Sequence, residues 1–113
     1  MSISFREVND IAIIDVLHDL DFNDAIQVKD LVESFIRNKQ YKVLVNLNSA
    51  PLITSRGMGT LITSQVKLKK YGGDLKIFGV RGQNQEVFEV TKLNTIFDIY
   101  DEEEDAVLAF SKK

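Results

Sequence analysis

The sequence predicts an α/β fold: a single mixed β-sheet in the order β-β-α-β-α-β-α-β-α, with helices packed against it. Three observations predict it. After an opening pair of strand-like runs, helical and strand-like segments alternate, which calls for parallel crossovers. The run Lys42-Val43-Leu44-Val45-Asn46-Leu47 puts apolar groups on both faces, the mark of a buried parallel strand. The stretch Leu52-Ile53-Thr54-Ser55-Arg56-Gly57-Met58-Gly59 sets a hydroxyl and two glycines where that strand hands over to a helix. In open α/β sheets, sites gather at such handovers, outside the carboxyl ends of the strands.

The elements follow in order. Residues 3–8 and 11–17 are strand-like and flank Asn9-Asp10, a pair that tolerates positive φ and predicts a tight antiparallel hairpin. Residues 24–38 form the clearest helix. Ala25, Val28, Leu31, Val32, Phe35 and Ile36 share one face, and Glu33 and Arg37 are spaced as an i,i+4 pair on the wet side. The buried strand over 42–47 comes next. A helix over 58–71 carries Met58, Leu61, Ile62 and Val66 on one face. Lys67, Lys69 and Lys70 fill its last turn, where the dipole favours cations, and Gly72-Gly73 stops it. A strand is expected over 75–80. A helix over 83–92 is expected to turn Val87 and Val90 inward. A short edge strand over 96–100 and a closing helix over 101–110 complete the order.

Composition narrows the function. At 113 residues the chain is expected to be one domain, 1–113, long enough to bury a core without disulfides or metal. It has no cysteine, which excludes a disulfide framework, a zinc finger and a thiol nucleophile. A net charge of -3 and a pI near 5.1 argue against a nucleic-acid partner. No apolar run reaches the roughly 20 residues of a membrane span. The start, Met1-Ser2-Ile3-Ser4-Phe5-Arg6-Glu7, lacks the charged opening and apolar heart of a signal peptide. A cytoplasmic location is expected.

This element order, joined to the glycine turn, resembles the STAS domain family, and within it the bacterial anti-sigma-factor antagonists. The family pattern runs apolar strand, Asp-Leu, a few residues, Asp-Ser-(Ser/Thr/Ala)-Gly-Leu-Gly, apolar helix, Gly-Gly, apolar strand. Here Asn46-Leu47, Thr54-Ser55-Arg56-Gly57-Met58-Gly59, Leu61-Ile62, Gly72-Gly73-Asp74-Leu75 and Ile77 fall in register. The family's Gly-x-(Leu/Ile)-Asp turn appears as His18-Asp19-Leu20-Asp21, and its later Thr-x-Leu segment as Val90-Thr91-Lys92-Leu93-Asn94-Thr95-Ile96-Phe97. Residues 101–106 are similar to the family's acidic start to the last helix. The resemblance implies that a partner, at once an anti-sigma factor and a serine kinase, binds this loop and phosphorylates Ser55, with Thr54 as the second candidate. A phosphatase restores the serine. ATP and magnesium would belong to the kinase, so no cofactor is expected for this chain. The implied partner surface comprises Asp21, Thr54, Ser55, Arg56, Gly57, Met58 and Gly59, on a monomer or weak homodimer. Four positions depart from the pattern: Thr54 and Asn46 replace acids, His18 replaces a glycine and Arg56 replaces a small residue.

The residues also have plainer readings. Ser55 is a good N-cap, worth roughly 1 kcal/mol over alanine. Each glycine inside a helix costs about 1 kcal/mol against alanine, so Gly57 and Gly59 need a reason. Close packing on the sheet is one; close approach of a partner backbone is the other, and the resemblance favours it. Asp21 reads as a turn or cap residue as well as a rim residue. The acids over 101–105 complement a helix dipole. Met58 suits an interface or the core. Two other functions stand beside the antagonist reading. One is a STAS module that is never phosphorylated and binds constitutively, for example as a scaffold in a lipid-transport or signalling complex. The other is a weak esterase or small-ligand binder using Ser55 and His18, which lacks the Gly-x-Ser-x-Gly elbow.

Overall fold

The structure, a computed structural model, describes residues 2–111; Met1, Lys112 and Lys113 of the expected span 1–113 lie outside the described residues. Strands β1 (Ile3–Val8) and β2 (Ile11–Val16) form the expected hairpin, with Val8 opposite Ile11. Asn9 and Asp10 sit at φ 51° and 63°, the two positive-φ positions of a two-residue turn that matches strand twist. Helix α1 (Phe22–Arg37) leads to β3 (Lys42–Asn46), then α2 (Ser55–Lys70), β4 (Asp74–Phe78), α3 (Gln83–Val90), β5 (Ile99–Tyr100) and α4 (Glu103–Ser111). The five strands form one mixed sheet in sequential order, with β1 antiparallel to β2 and every other neighbour parallel.

Two apolar layers hold it together. On one face α1, α2 and α3 bring Val28, Val32, Phe35, Leu61, Leu68 and Phe88 onto Ile14, Val16, Val43, Val45, Leu75 and Ile77. On the other, α4 brings Ala106, Val107 and Phe110 onto Ile11, Ile13, Leu44 and Phe78. Val43, Leu44 and Val45 are wholly buried, as a central strand covered on both faces must be. Among the described residues no helix is long and apolar enough to cross a membrane.

Four expectations are corrected. Helix α2 does not bury Val66, which is 52% exposed; Gly57, Leu61, Ser64, Gln65 and Leu68 face inward instead. The cause is Gln65. Its carboxamide accepts from the Leu75 N–H (2.8 Å) and donates to the Leu75 carbonyl (3.2 Å) and to Asp74 (2.8 Å). The two Leu75 groups are backbone groups that a longer β5 would have paired. The expected strand over 96–100 therefore shrinks to Ile99–Tyr100, behind a 3-10 turn at Leu93–Thr95. In α3, Val90 is 75% exposed because Phe88 takes the core position, while Asn84 donates to the Ala50 carbonyl (2.7 Å). Glu33 does not pair with Arg37; Lys67 of α2 reaches it at 2.7 Å and Lys29 at 3.6 Å.

Charged contacts fasten the edges. Arg6 on β1 bridges Asp15 on β2 (2.8 Å) and Glu103 at the start of α4 (2.6 Å). Burial pushes the Asp15 carboxyl up, but hydrogen bonds from Arg6 and Asn46 outweigh it and hold the group below the usual carboxylate range. Burial likewise pushes Asp74 up, and the Gln65 and Lys76 bonds overcome it, so its pKa is also lowered.

Two expectations follow for folding. With folded values below unfolded ones, Asp15 and Asp74 take up protons on unfolding. Their contribution is complete above the unfolded pKa, near 3.9 for Asp, and is lost as pH falls through the lowered folded value. Melting temperature against pH should drop on the acid side of about pH 4, and Asp15→Asn should flatten that limb. An unchanged limb in the variant would remove Asp15 from this account. Gln65→Leu, which strands the Leu75 N–H and C=O, should cost about 1–3 kcal/mol in denaturant unfolding, well beyond the effect of Val66→Ala at its exposed neighbour.

Candidate functional site

Two loops meet above the carboxyl ends of β2 and β3. The first, over 17–21, leads from β2 into α1. The second, over 47–54, leads from β3 into α2. They join through a parallel bridge between Leu20 and Ile53. The Leu20 N–H donates to the Leu52 carbonyl (3.0 Å), and the Thr54 N–H donates to the Leu20 carbonyl (3.1 Å). The Thr54 hydroxyl donates to that same carbonyl (2.8 Å) and accepts from the Gly57 N–H (3.1 Å).

Thr54, not Ser55, is therefore the N-cap of α2, and Ser55 is the first helical residue. The reading of Ser55 as cap is corrected for a simple reason. Thr54 has extended backbone, φ -73° and ψ 164°, which aims its hydroxyl at the first free N–H groups. The Ser55 side chain is left exposed with no hydrogen bond among the described residues. Asp21 serves as the N-cap of α1, with Oδ1 accepting from the Asp24 N–H at 3.0 Å.

The two glycines separate. Gly57 is buried, and a Cβ there would lie 2.7 Å from the Leu20 carbonyl oxygen. Its missing side chain is what lets α2 close on the first loop. Gly59 is exposed, and a Cβ there would meet nothing within 4 Å. Met58 is half-buried against the core. Arg56 lies with its guanidinium carbon 4.6 Å from the centroid of the Phe22 ring. Residues Ser55, Arg56, Gly59, Thr60 and Thr63 line a shallow open hollow of about 430 Å³.

The fold thus gathers Asp21, Thr54, Ser55, Arg56 and Gly57 at one corner. Met58 faces the core, and Gly59 lies one turn along the outer face. His18 does not join Ser55: no hydrogen bond links them, and His18 Nδ1 lies 3.7 Å from Asp24 Oδ2. Asp24 also accepts a hydrogen bond from the Ser2 hydroxyl. A hydrolytic serine needs a base within hydrogen-bond reach, and this serine has none among the described residues. Phe22 is the site residue that sequence reasoning missed. Its signal in the sequence was an aromatic at a helix start, off the apolar period of α1; the structure leaves it 50% exposed.

Comparison with known proteins agrees with this geometry. Over 97% of this chain and 95% of the other, it is similar to a candidate anti-sigma factor antagonist from Thermotoga maritima, at 20% identity and a TM-score of 0.88. An anti-sigma factor antagonist from Mycobacterium paratuberculosis matches at 18% identity over 97% and 93%, with a TM-score of 0.85. The Bacillus cell fate determinant SpoIIAA in its phosphorylated form matches at 16% identity over 96% and 98%, with a TM-score of 0.77. These likenesses establish a shared fold. The STAS domain family model matches residues 2–106, nearly all of the sheet and helices described above, and the chain belongs to that family.

Proposed function

We propose that this chain is an anti-sigma-factor antagonist in a partner-switching pathway. It binds an anti-sigma factor that is also its serine kinase, and phosphorylation of Ser55 releases it. The observation that carries the reading is the state of the two hydroxyls. Thr54 is spent on Leu20 and Gly57, whereas Ser55 stands exposed at the first turn of α2. A kinase can reach the second and not the first without breaking the cap. The fold shared with anti-sigma factor antagonists, one of them described in a phosphorylated form, supports the same role.

A phosphoserine carries about -1.5 to -2 charges at neutral pH. At the start of α2 that charge is favourable by roughly 0.3–1 kcal/mol, so modification should leave the domain folded. Arg56 is adjacent in sequence, and neighbouring side chains on a helix do not face each other. Its stack on Phe22 holds it to one side. The switch therefore acts in the interface, by adding bulk and charge where the partner closes on the loop.

Incubation with the cognate kinase and ATP, followed by mass spectrometry, should place phosphate on Ser55 and none on Thr54. Ser55→Asp should leave the melting temperature nearly unchanged and weaken the complex by about tenfold or more, roughly 1.4 kcal/mol. Stable kinase binding without phosphate transfer would support the constitutive binder instead, with Asn46 and Thr54 in place of family acids as the cause. The glycines divide on the same assay. Gly59→Leu should weaken the complex while leaving stability within about 1 kcal/mol, whereas Gly57→Ala should cost stability by about 1–3 kcal/mol through collision with Leu20. Loss of stability at Gly59 with binding untouched would count against the outer face of α2 as the partner surface.

A further inference from the structure

Helix α2 is charged in one sense only. It carries Arg56, Lys67, Lys69 and Lys70 and no Asp or Glu, within a chain of net charge -3. Acids of neighbouring elements meet two of the four: Glu33 meets Lys67 and Asp74 meets Lys69. Arg56 and Lys70 enter no ion pair among the described residues. Helices α1 and α2 run side by side in register, with Phe22 against Arg56 at one end and Glu33 against Lys67 at the other. The guanidinium lies over the Phe22 ring, and its N–H donors make no hydrogen bond among the described residues. A planar fork of that kind suits a carboxylate bidentately.

Between the two unpaired cations the face is small and partly apolar. Ser55, Gly59, Thr63 and Val66 are all exposed there, with Phe22 and Ile26 exposed on the neighbouring helix. Nothing stands where a Gly59 side chain would be. We propose that this face of α2 is the docking surface for an acidic helix of a protein partner, one of whose carboxylates is received by Arg56. The inference rests on reading this face as the partner surface, and it needs no phosphorylation. Charge complementarity selects the acid, since α2 offers two unpaired cations and no Asp or Glu, and Glu33 of the neighbouring helix is already engaged by Lys67 and Lys29. The small crest admits a helix backbone at close range, and Val66, Phe22 and Ile26 require apolar residues beside the acids. Arg56 and Lys70 are 14 residues apart on a helix rising 1.5 Å per residue, so the partner's acids should be about 21 Å apart. A polyanion is a poorer fit: two cations with apolar residues between them do not make a phosphate-tracking groove.

The test uses a fluorescein-labelled Ala/Leu helical peptide bearing Glu at both ends of one face, with those acids about 21 Å apart. Its control is the same peptide with Lys in place of Glu. The acidic peptide should bind, with amide NMR shifts gathered at Arg56, Gly59, Thr63 and Lys70, and should weaken as salt rises. Arg56→Glu should lower its affinity by about tenfold. That variant places an acid in the first turn of α2, which the helix dipole favours, so its melting temperature should hold. Equal binding of the Lys peptide, shifts centred elsewhere, unchanged affinity in Arg56→Glu, or tighter binding to phosphatidylserine vesicles than to the peptide would each overturn the proposal. Phosphate transfer to Ser55 is read separately, so failure here and failure of the switch are distinguishable.

Discussion

The carbonyl oxygen of Leu20 accepts from both the backbone N–H and the hydroxyl of Thr54, and Gly57 lies so close to it that a single methyl would collide. That contact joins the β2-to-α1 crossover to the β3-to-α2 crossover. A side chain at position 57 would push α2 off the first loop, and the Thr54 cap would lose its geometry. Leu20 itself is fully buried. The site is thus a by-product of burying one leucine under one glycine. This explains why the hydroxyl beside the cap can stay unengaged: the Gly57 and Met58 N–H groups already have their acceptors in the hydroxyl and the carbonyl of Thr54.

The rotation of α2 about its own axis is set elsewhere, at Gln65. Its carboxamide occupies the place that a sheet neighbour would take beside Leu75, and a buried backbone pair left open there would be costly. With Gln65 turned inward, Val66 must turn outward, although it is the more hydrophobic residue. The same rotation presents Ser55, Gly59 and Thr63 to solvent. A polar buried residue at the C-terminal half of the helix therefore decides which residues the N-terminal half displays.

The charged contacts act on the other side of the sheet. Arg6, Asp15, Asn46 and Glu103 link β1, β2, β3 and α4 in one chain of hydrogen bonds. Asn46 donates to Asp15 at 2.8 Å. A carboxylate at position 46 would face Asp15 as a like charge, so the amide in place of the family acid suits this neighbour. Arg56, another departure near the loop, has its own local partner in Phe22.

By itself the sequence determined the element order, the hairpin, the buried parallel strand and the loop that carries the site. Those are periodic or local signals. A continuous apolar run marks β3, positive-φ tolerance marks Asn9-Asp10, and Thr54-Ser55-Arg56-Gly57-Met58-Gly59 is contiguous in the chain. Only the tertiary structure decided which hydroxyl caps and which stays free, which glycine packs and which lies open, and where Val66 and Val90 point. Each of these depends on a group distant in sequence: Leu20 for Thr54 and Gly57, Leu75 for Gln65, Ala50 for Asn84, Glu33 for Lys67. Helical periodicity cannot register such partners, because it counts apolar residues along one segment, whereas a buried amide or carbonyl across the sheet outweighs one valine in setting the inward face.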